Sequence, residues 1–229
     1  MSIATLPDHG VKTHEPRFNP YDDNGGSIVA VGGDDFVIIA SDTRLSTGYS
    51  IYTRHQSKIF KLSKISALAC AGCWSDVLTF TRLINARMQM YLHEHNKEMS
   101  TPALAQMLST MMYHKRFFPY YVSNILGGLE KDGSGWIYSY DPIGNMERSK
   151  FRAGGSSGAL LQPLLDNQLG FANMENVESR SISLEKALAV VRDVFISAAE
   201  RDIYTGDKIH VTVITKDEIK EDTLQLTKD

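Results

Sequence analysis

Two short strand-like runs, Ser27 to Val31 and Phe36 to Ala40, flank the turn Gly32-Gly33-Asp34-Asp35. Glycine accepts positive φ without steric cost, so this punctuation predicts a β-hairpin, and the rest of the chain has to be arranged around it. The second strand runs into a polar end, Ser41-Asp42-Thr43-Arg44, and the first is entered through Asn24-Gly25-Gly26. Residues 1 to 16 are polar, carry Pro7, Pro16, His9 and His14, and show neither helical nor strand period. They read as a flexible leader that is a candidate for removal, with order expected from Arg17 and a single domain over 17 to 229.

Beyond the hairpin, Ser50 to Lys61 reads as a second, more polar hairpin and Ile65 to Ala71 as a buried strand. From Ser75 the period changes to 3.6: Val77, Phe80, Ile84, Met88 and Tyr91 draw one apolar stripe on a helix ending near His95. A second helix is expected from Thr101-Pro102, where Thr caps and Pro suits the first turn, burying Leu104, Met107, Leu108 and Met111. Strands are expected over Val122 to Leu129, Gly135 to Tyr140 and Ser149 to Ala153, then a helix over Gly155 to Leu165. A further helix follows Ser183 with the stripe Leu188, Val191, Phe195 and Ala198, and strands over Lys208 to Thr215 and Thr223 to Leu226 close the chain. Helices grouped in pairs, rather than one after each strand, argue against a doubly wound parallel sheet. They favour an α+β fold with antiparallel sheets and helices on the outer faces.

A net charge of -3 with no Lys/Arg block excludes the concentrated basic face that nucleic acid or a membrane surface requires. Two cysteines, Cys70 and Cys73, cannot staple a secreted scaffold, so a reducing compartment is expected. No basic segment followed by an apolar run occurs in the first 25 residues, and no stretch approaches 18 consecutive apolar residues, so the chain is expected to be soluble and not secreted.

The opening hairpin with its Asp42-Thr43-Arg44 motif resembles the N-terminal-nucleophile hydrolases, and within them the proteasome beta subunits. Active members of that family are cut before a threonine sixteen residues ahead of the motif's Asp. Sixteen residues before Asp42 stands Gly26, which has no side chain. Such a protease needs a hydroxyl or thiol on its first residue, the free amine beside it as base, and a nearby cation. The resemblance places that cation at Lys58, 32 residues after Gly26, with Asp42 to orient it. It also places an oxyanion-hole amide at Gly72, the glycine-serine beside the nucleophile at Gly155-Ser156, and the Arg-Asp-x-Tyr-Ser-Gly segment at Arg201 to Gly206, which contributes Asp202 and Thr205. The frame is complete except for its nucleophile, so no catalytic residue is assigned. With these positions aligned, replacing Gly26 by Thr is expected to restore self-cleavage.

Three other arrangements compete with that reading. Ser27 could serve as a nucleophile after cleavage at the Gly26-Ser27 bond, but it is one residue short of both spacings, and a one-residue slip in a strand turns the side chain to the other face. Gly154-Gly155-Ser156-Ser157-Gly158 matches the G-x-S-x-G nucleophile elbow, with Asp202 and His210 following. Against it, His210 falls within a strand, and the alternating strand-helix series of that fold is missing. Cys70-Ala71-Gly72-Cys73 has redox spacing at a strand-to-helix junction, yet lacks the surrounding strand-helix-strand pattern, and no second cysteine pair completes a zinc site. The seven histidines are scattered, with His93 and His95 on different faces of a helix. No cofactor or metal site is expected.

Longer stretches add to the resemblance: Arg17 to Tyr21, Arg116 to Val122, Ala153 to Gln168 and Phe195 to Asp202 are similar to a non-catalytic position among eukaryotic proteasome beta subunits. The resemblance implies a four-layer α-β-β-α sandwich of two antiparallel sheets. It implies partners: other beta subunits in a seven-membered ring, the opposing beta ring, the adjacent alpha ring and assembly chaperones, without nucleic acid or membrane. It further implies a structural role in ubiquitin- and ATP-dependent protein degradation, in cytoplasm and nucleus, and trimming of the leader by neighbouring subunits.

Overall fold

A computed structural model of the chain describes residues 19–172, 174 and 181–226. The proposed leader, 1 to 16, lies outside the described residues. The expected opening hairpin is present as β1 (Ser27–Gly32) and β2 (Phe36–Asp42), with Ile28 opposite Ser41 and Gly32 opposite Val37. The chain continues through β3 (Leu45–Thr47), β4 (Ser50–Thr53), β5 (Ile59–Lys61) and β6 (Ser66–Gly72) into α1 (Trp74–His95) and α2 (Thr101–His114). Next come β7 (Val122–Leu129), β8 (Gly135–Tyr140), β9 (Met146–Ser149), β10 (Phe151–Gly155) and α3 (Gly158–Leu165). A π-helical turn at Asp166–Gly170, α4 (Leu184–Ala199), β11 (Lys208–Thr215) and β12 (Ile219–Gln225) complete it.

These strands form two five-stranded antiparallel sheets, ordered β10-β1-β2-β11-β12 and β5-β6-β7-β8-β9, and a small β3-β4 ribbon. Three apolar clusters define the layers. Between the sheets lie Ile28, Ala30, Val37, Ile39, Ala67, Ala69, Ile125 and Ile137. The other face of the first sheet, with Val29, Val31, Ile38 and Ala40, is covered by Leu161 and Leu165 of α3 and Val191, Val194 and Phe195 of α4. The other face of the second sheet, with Leu68, Cys70 and Leu126, is covered by Val77, Phe80 and Ile84 of α1 and Leu104, Leu108 and Met112 of α2. Alternate strand residues thus enter different cores, as a period of two requires. The result is the four-layer α-β-β-α sandwich.

Several boundaries differ from expectation. The Ser50 to Lys61 stretch is not one hairpin: β4 pairs with β3 across Gly48, whose φ is +55°, while β5 pairs with β6 in the second sheet. Ser149 to Ala153 is split at Lys150, where the chain leaves the second sheet and joins the first. The third expected helix begins at Gly158 because Gly155 still belongs to β10. In α2, Thr101 is helical and its hydroxyl donates to Leu129 O (2.6 Å) instead of capping, and the buried stripe is Leu104, Ala105, Leu108 and Met112, with Met107 and Met111 on its flank.

Candidate functional site

Antiparallel pairing of β1 and β2 brings the start of the first strand beside the end of the second. That geometry explains why positions sixteen apart, Gly26 and Asp42, are neighbours. Asp42 is fully buried, and its Oδ1 accepts from Ser27 N (2.9 Å) and from Lys58 Nζ (2.5 Å). Its Oδ2 accepts from Arg44 N (3.2 Å) and Gly206 N (3.4 Å). Burial pushes the Asp42 carboxyl above the usual carboxylate range, against the opposing pull of the Lys58 ammonium and the two amides of Ser27 and Arg44.

Lys58 precedes β5 of the second sheet, so its stem crosses the sandwich to reach the first. It too is fully buried, and Nζ also donates to Arg44 O (2.6 Å). A buried ion pair needs further hydrogen bonds beyond its own: the Ser27, Arg44 and Gly206 amides donate to the carboxylate, and Arg44 O takes a second ammonium proton. Gly26 has φ +92°, and a β-carbon built on it would overlap Lys58 Nζ, 2.7 Å from Cε and 3.0 Å from Asp42 Oδ1. The lysine end thus occupies the room of the missing side chain.

On the other side of Gly26, Ser156 N donates to Gly26 O (2.9 Å), and Gly26 N donates to Ser156 Oγ (3.1 Å). Ser156 Oγ donates in turn to Asp202 Oδ2 (2.6 Å), which also accepts from Thr205 Oγ1 (2.7 Å). Gly72, with φ +109° at the end of β6, accepts from Asn24 N through its carbonyl (3.2 Å). Gly26, Asp42, Lys58, Gly72, Ser156, Asp202 and Thr205 therefore lie in one neighbourhood, brought there from both sheets and from the loop after α4. A cleft of about 240 Å³ opens beside it, lined in part by Asp23, Gly72, Tyr121, Gly155 and Ser156.

The competing arrangements are not assembled. Ser27 Oγ sits between Ser157 Oγ and Thr205 Oγ1 (2.5 Å to the latter), not beside Lys58, whose ammonium is engaged by Asp42 and Arg44 O. His210 Nδ1 pairs with Ser57 Oγ (2.8 Å), while Ser156 Oγ donates to Asp202 Oδ2. Cys70 is wholly buried in the α1/α2 core, where burial pushes its thiol pKa up, and Cys73 is 3 % exposed beside Ser75. Both cysteines are free.

Four participants were given no partner from the sequence, although Arg44 stood in the Asp42-Thr43-Arg44 motif. Arg44 Nε pairs with Asp207 Oδ2 (2.9 Å) and Nη1 donates to Ile203 O (3.1 Å), while Arg54 meets the other Asp207 oxygen. This cluster ties the β2-β3 turn to the loop before β11, and a β-carbon at Gly206 would press on the Arg44 guanidinium. Asn24 is the fourth. Only the Asn-Gly-Gly turn composition marked it, and that signal says nothing about partners.

The fold and this neighbourhood define a chain with the N-terminal-nucleophile hydrolase architecture and a glycine at the head of β1. Residues 22–214 match the family model described as Proteasome subunit. The chain is 56% identical over 232 residues to proteasome subunit beta type-1 of Drosophila melanogaster, covering 100% of this chain and 99% of that one. It is 55% identical to proteasome subunit beta type-1 of Danio rerio (94% of this chain, 91% of that one) and 45% identical to the Arabidopsis thaliana protein of the same name (93% and 97%). The chain belongs to the proteasome subunit family.

Proposed function

We propose that this chain is a non-catalytic, structural beta subunit of the 20S core particle, completing a seven-membered beta ring for ubiquitin- and ATP-dependent protein degradation. Its partners in this reading are neighbouring beta subunits, the opposing beta ring, the adjacent alpha ring and the chaperones that assemble them, in cytoplasm and nucleus. The leader up to about Pro16 is removed on assembly.

The observation that carries the reading is Gly26 facing the Lys58-Asp42 pair. Position 26 has no hydroxyl to attack a carbonyl, and loss of the nucleophile from a catalytic unit costs on the order of a million-fold in turnover. The remaining members are explained by the fold alone: Asp42 and Lys58 satisfy each other in the interior, Ser156 satisfies the Gly26 backbone, and Asp202 accepts from the hydroxyls of Ser156 and Thr205.

The test is the intact mass of the chain within its native particle after exposure to an epoxyketone, which traps an N-terminal Thr or Ser. No adduct on this chain, with adducts on companions in the same sample, is expected. An adduct on a chain beginning at Ser27 overturns the reading and makes the chain a peptidase.

A further inference from the structure

Helices α1 and α2 cover the second sheet, and the outer seam between them is a groove of about 820 Å³. Its walls are apolar: Leu83 and Met90 come from α1, Met107 and Met111 from α2, and Met99 from the turn that joins them. Leu83 is 38% exposed and Met90 60%, so this surface is open to a partner. Methionine side chains adapt to irregular shapes, and a contiguous apolar patch rimmed by charge marks an interaction site. The rim is ordered. His114 and Lys115 stand at the end where α2 finishes, and Glu94 at the other, beside the turn into α2. Neither Glu94 nor Lys115 makes an ion pair among the described residues.

The described residues begin at Asn19, close to the cationic end of this groove. Tyr21 Oη donates to Pro119 O (2.6 Å), and its ring lies 5.7 Å from Phe118. Lys115 Nζ stands 5.8 Å from the Phe118 ring and 4.9 Å from that of Tyr120, which lines the groove. These contacts make one path from Tyr21 to the groove. Helix α2 has 14 residues and is therefore about 21 Å long. Eighteen residues precede Asn19, and fully extended they reach up to about 60 Å, ample to run the length of the groove. Their charges fall in a matching order. Counting back from Asn19, Glu15 is the first acid, Lys12 the next base, and Val11 and Leu6 the apolar side chains beyond it. At about 3.3 Å per residue, Glu15 falls about 13 Å and Val11 about 26 Å from Asn19, which sets an acid at the Lys115 end and a base and an apolar residue toward Glu94 and Met99.

We propose that the leader, residues 1 to 16, lies in the α1/α2 groove of its own chain for as long as it stays attached, with Glu15 at the Lys115 end and Val11 and Leu6 on the methionines. The inference rests on the reading of the chain as a ring subunit whose leader is removed on assembly. Before assembly the leader covers an apolar face that would otherwise meet wrong partners, and its removal bares that face for a neighbouring chain. A weak contact is enough, because the leader is tethered beside the groove. Tethering supplies an effective concentration on the order of 1 mM, so an intrinsic Kd of about 0.1 mM leaves the docked form in roughly tenfold excess.

The test uses the tagged full chain, taken from cells before it enters particles. With p-benzoylphenylalanine placed at position 11, irradiation is expected to cross-link the leader to residues 83–94 or 99–115 of the same chain. Oxidation of methionine by dilute peroxide supplies the second readout. Met107 and Met111 should oxidise roughly tenfold more slowly in the full chain than in Leu6→Asp/Val11→Asp or in a chain beginning at Arg17, the scale of the docked excess. Glu15→Lys should fall between them, and Met174, exposed outside the groove, should oxidise alike in all. These substitutions lie in the leader and leave the folded core intact. Cross-links elsewhere or none, equal oxidation of Met107 and Met111 with and without the leader, or cross-links found only between isotopically light and heavy copies overturns the inference, the last by seating a second copy in the groove. Absence of the chain from purified particles overturns the ring-subunit reading instead and does not touch the oxidation comparison, so the two failures are distinguishable.

Discussion

Lys58 Nζ stands where the β-carbon of any residue other than glycine at position 26 would go. Restoring a threonine there is therefore more than adding a hydroxyl to a waiting frame. The lysine would have to withdraw from a fully buried pair, and a β-branched residue would have to hold φ +92°. Gly26→Thr is expected to leave the peptide bond after Gly25 intact by mass spectrometry and to lower stability by about 1 to 3 kcal/mol, seen as a lower urea midpoint. Cleavage after Gly25 in this variant would show that Lys58 yields easily.

The Asp42-Lys58 pair joins the two sheets through the interior. Lys58→Met leaves the Asp42 carboxylate buried without its cation and is expected to cost about 3 to 5 kcal/mol. In Asp42→Asn/Lys58→Met no charge remains to be stranded, so much of that loss should return. Urea unfolding of both variants and of Asp42→Asn closes the cycle, and strictly additive losses would mean the pair is not coupled.

Cys70 lies at 0% exposure in the α1/α2 core, and burial pushes its thiol pKa up. Since the thiolate is the reactive species, Cys70 is expected to resist alkylation in the folded chain and to react once the chain is unfolded. Peptide mapping after iodoacetamide, with and without denaturant, distinguishes it from Cys73.

Asp207 responds to acid. Burial opposes its ionisation, but hydrogen bonds and charge from Arg44 and Arg54 prevail and hold the carboxyl below the usual range. A depressed carboxyl binds protons less tightly in the folded state, so its contribution is complete above the unfolded value of about 3.9 and drains away as pH falls through the lower folded value. Asp207→Asn should thus be less stable than wild type at pH 7. The gap in urea midpoints should narrow as pH falls below about 4.

Much of this architecture was legible in local pattern. The β1-β2 hairpin followed from its turn glycines, α1 from its 3.6 period, and the Gly26, Asp42 and Lys58 neighbourhood from spacings that a resemblance made meaningful. Where pattern failed, tertiary pairing had decided. β12 begins at Ile219, not Thr223, because its polar residues Lys220, Glu221 and Asp222 are carried by continuous register against β11, from Lys208 opposite Gln225 to Ile214 opposite Ile219. The break at Lys150 has no glycine or proline to announce it; the Lys150 carbonyl instead accepts from Gly32 N (2.7 Å) in the first sheet. Asn24, Arg54 and Asp207 were invisible for a related reason: each finds its partners far along the chain, and no short-range periodicity encodes such a meeting.

The two sheets differ in how they draw on the chain. Strands β5 to β9 come from one continuous run, residues 59 to 149, each antiparallel to the next. The other sheet takes β1 and β2 from early in the chain, β10 from its middle and β11 and β12 from late in it, and the hydroxyls of Ser27 and Thr205 meet across 178 positions. Long-range closure is slow to form, so during synthesis the second sheet and its helices can condense first. The neighbourhood of Gly26, begun at the head of β1, then stays open until Asp202, Thr205 and Gly206 have been made.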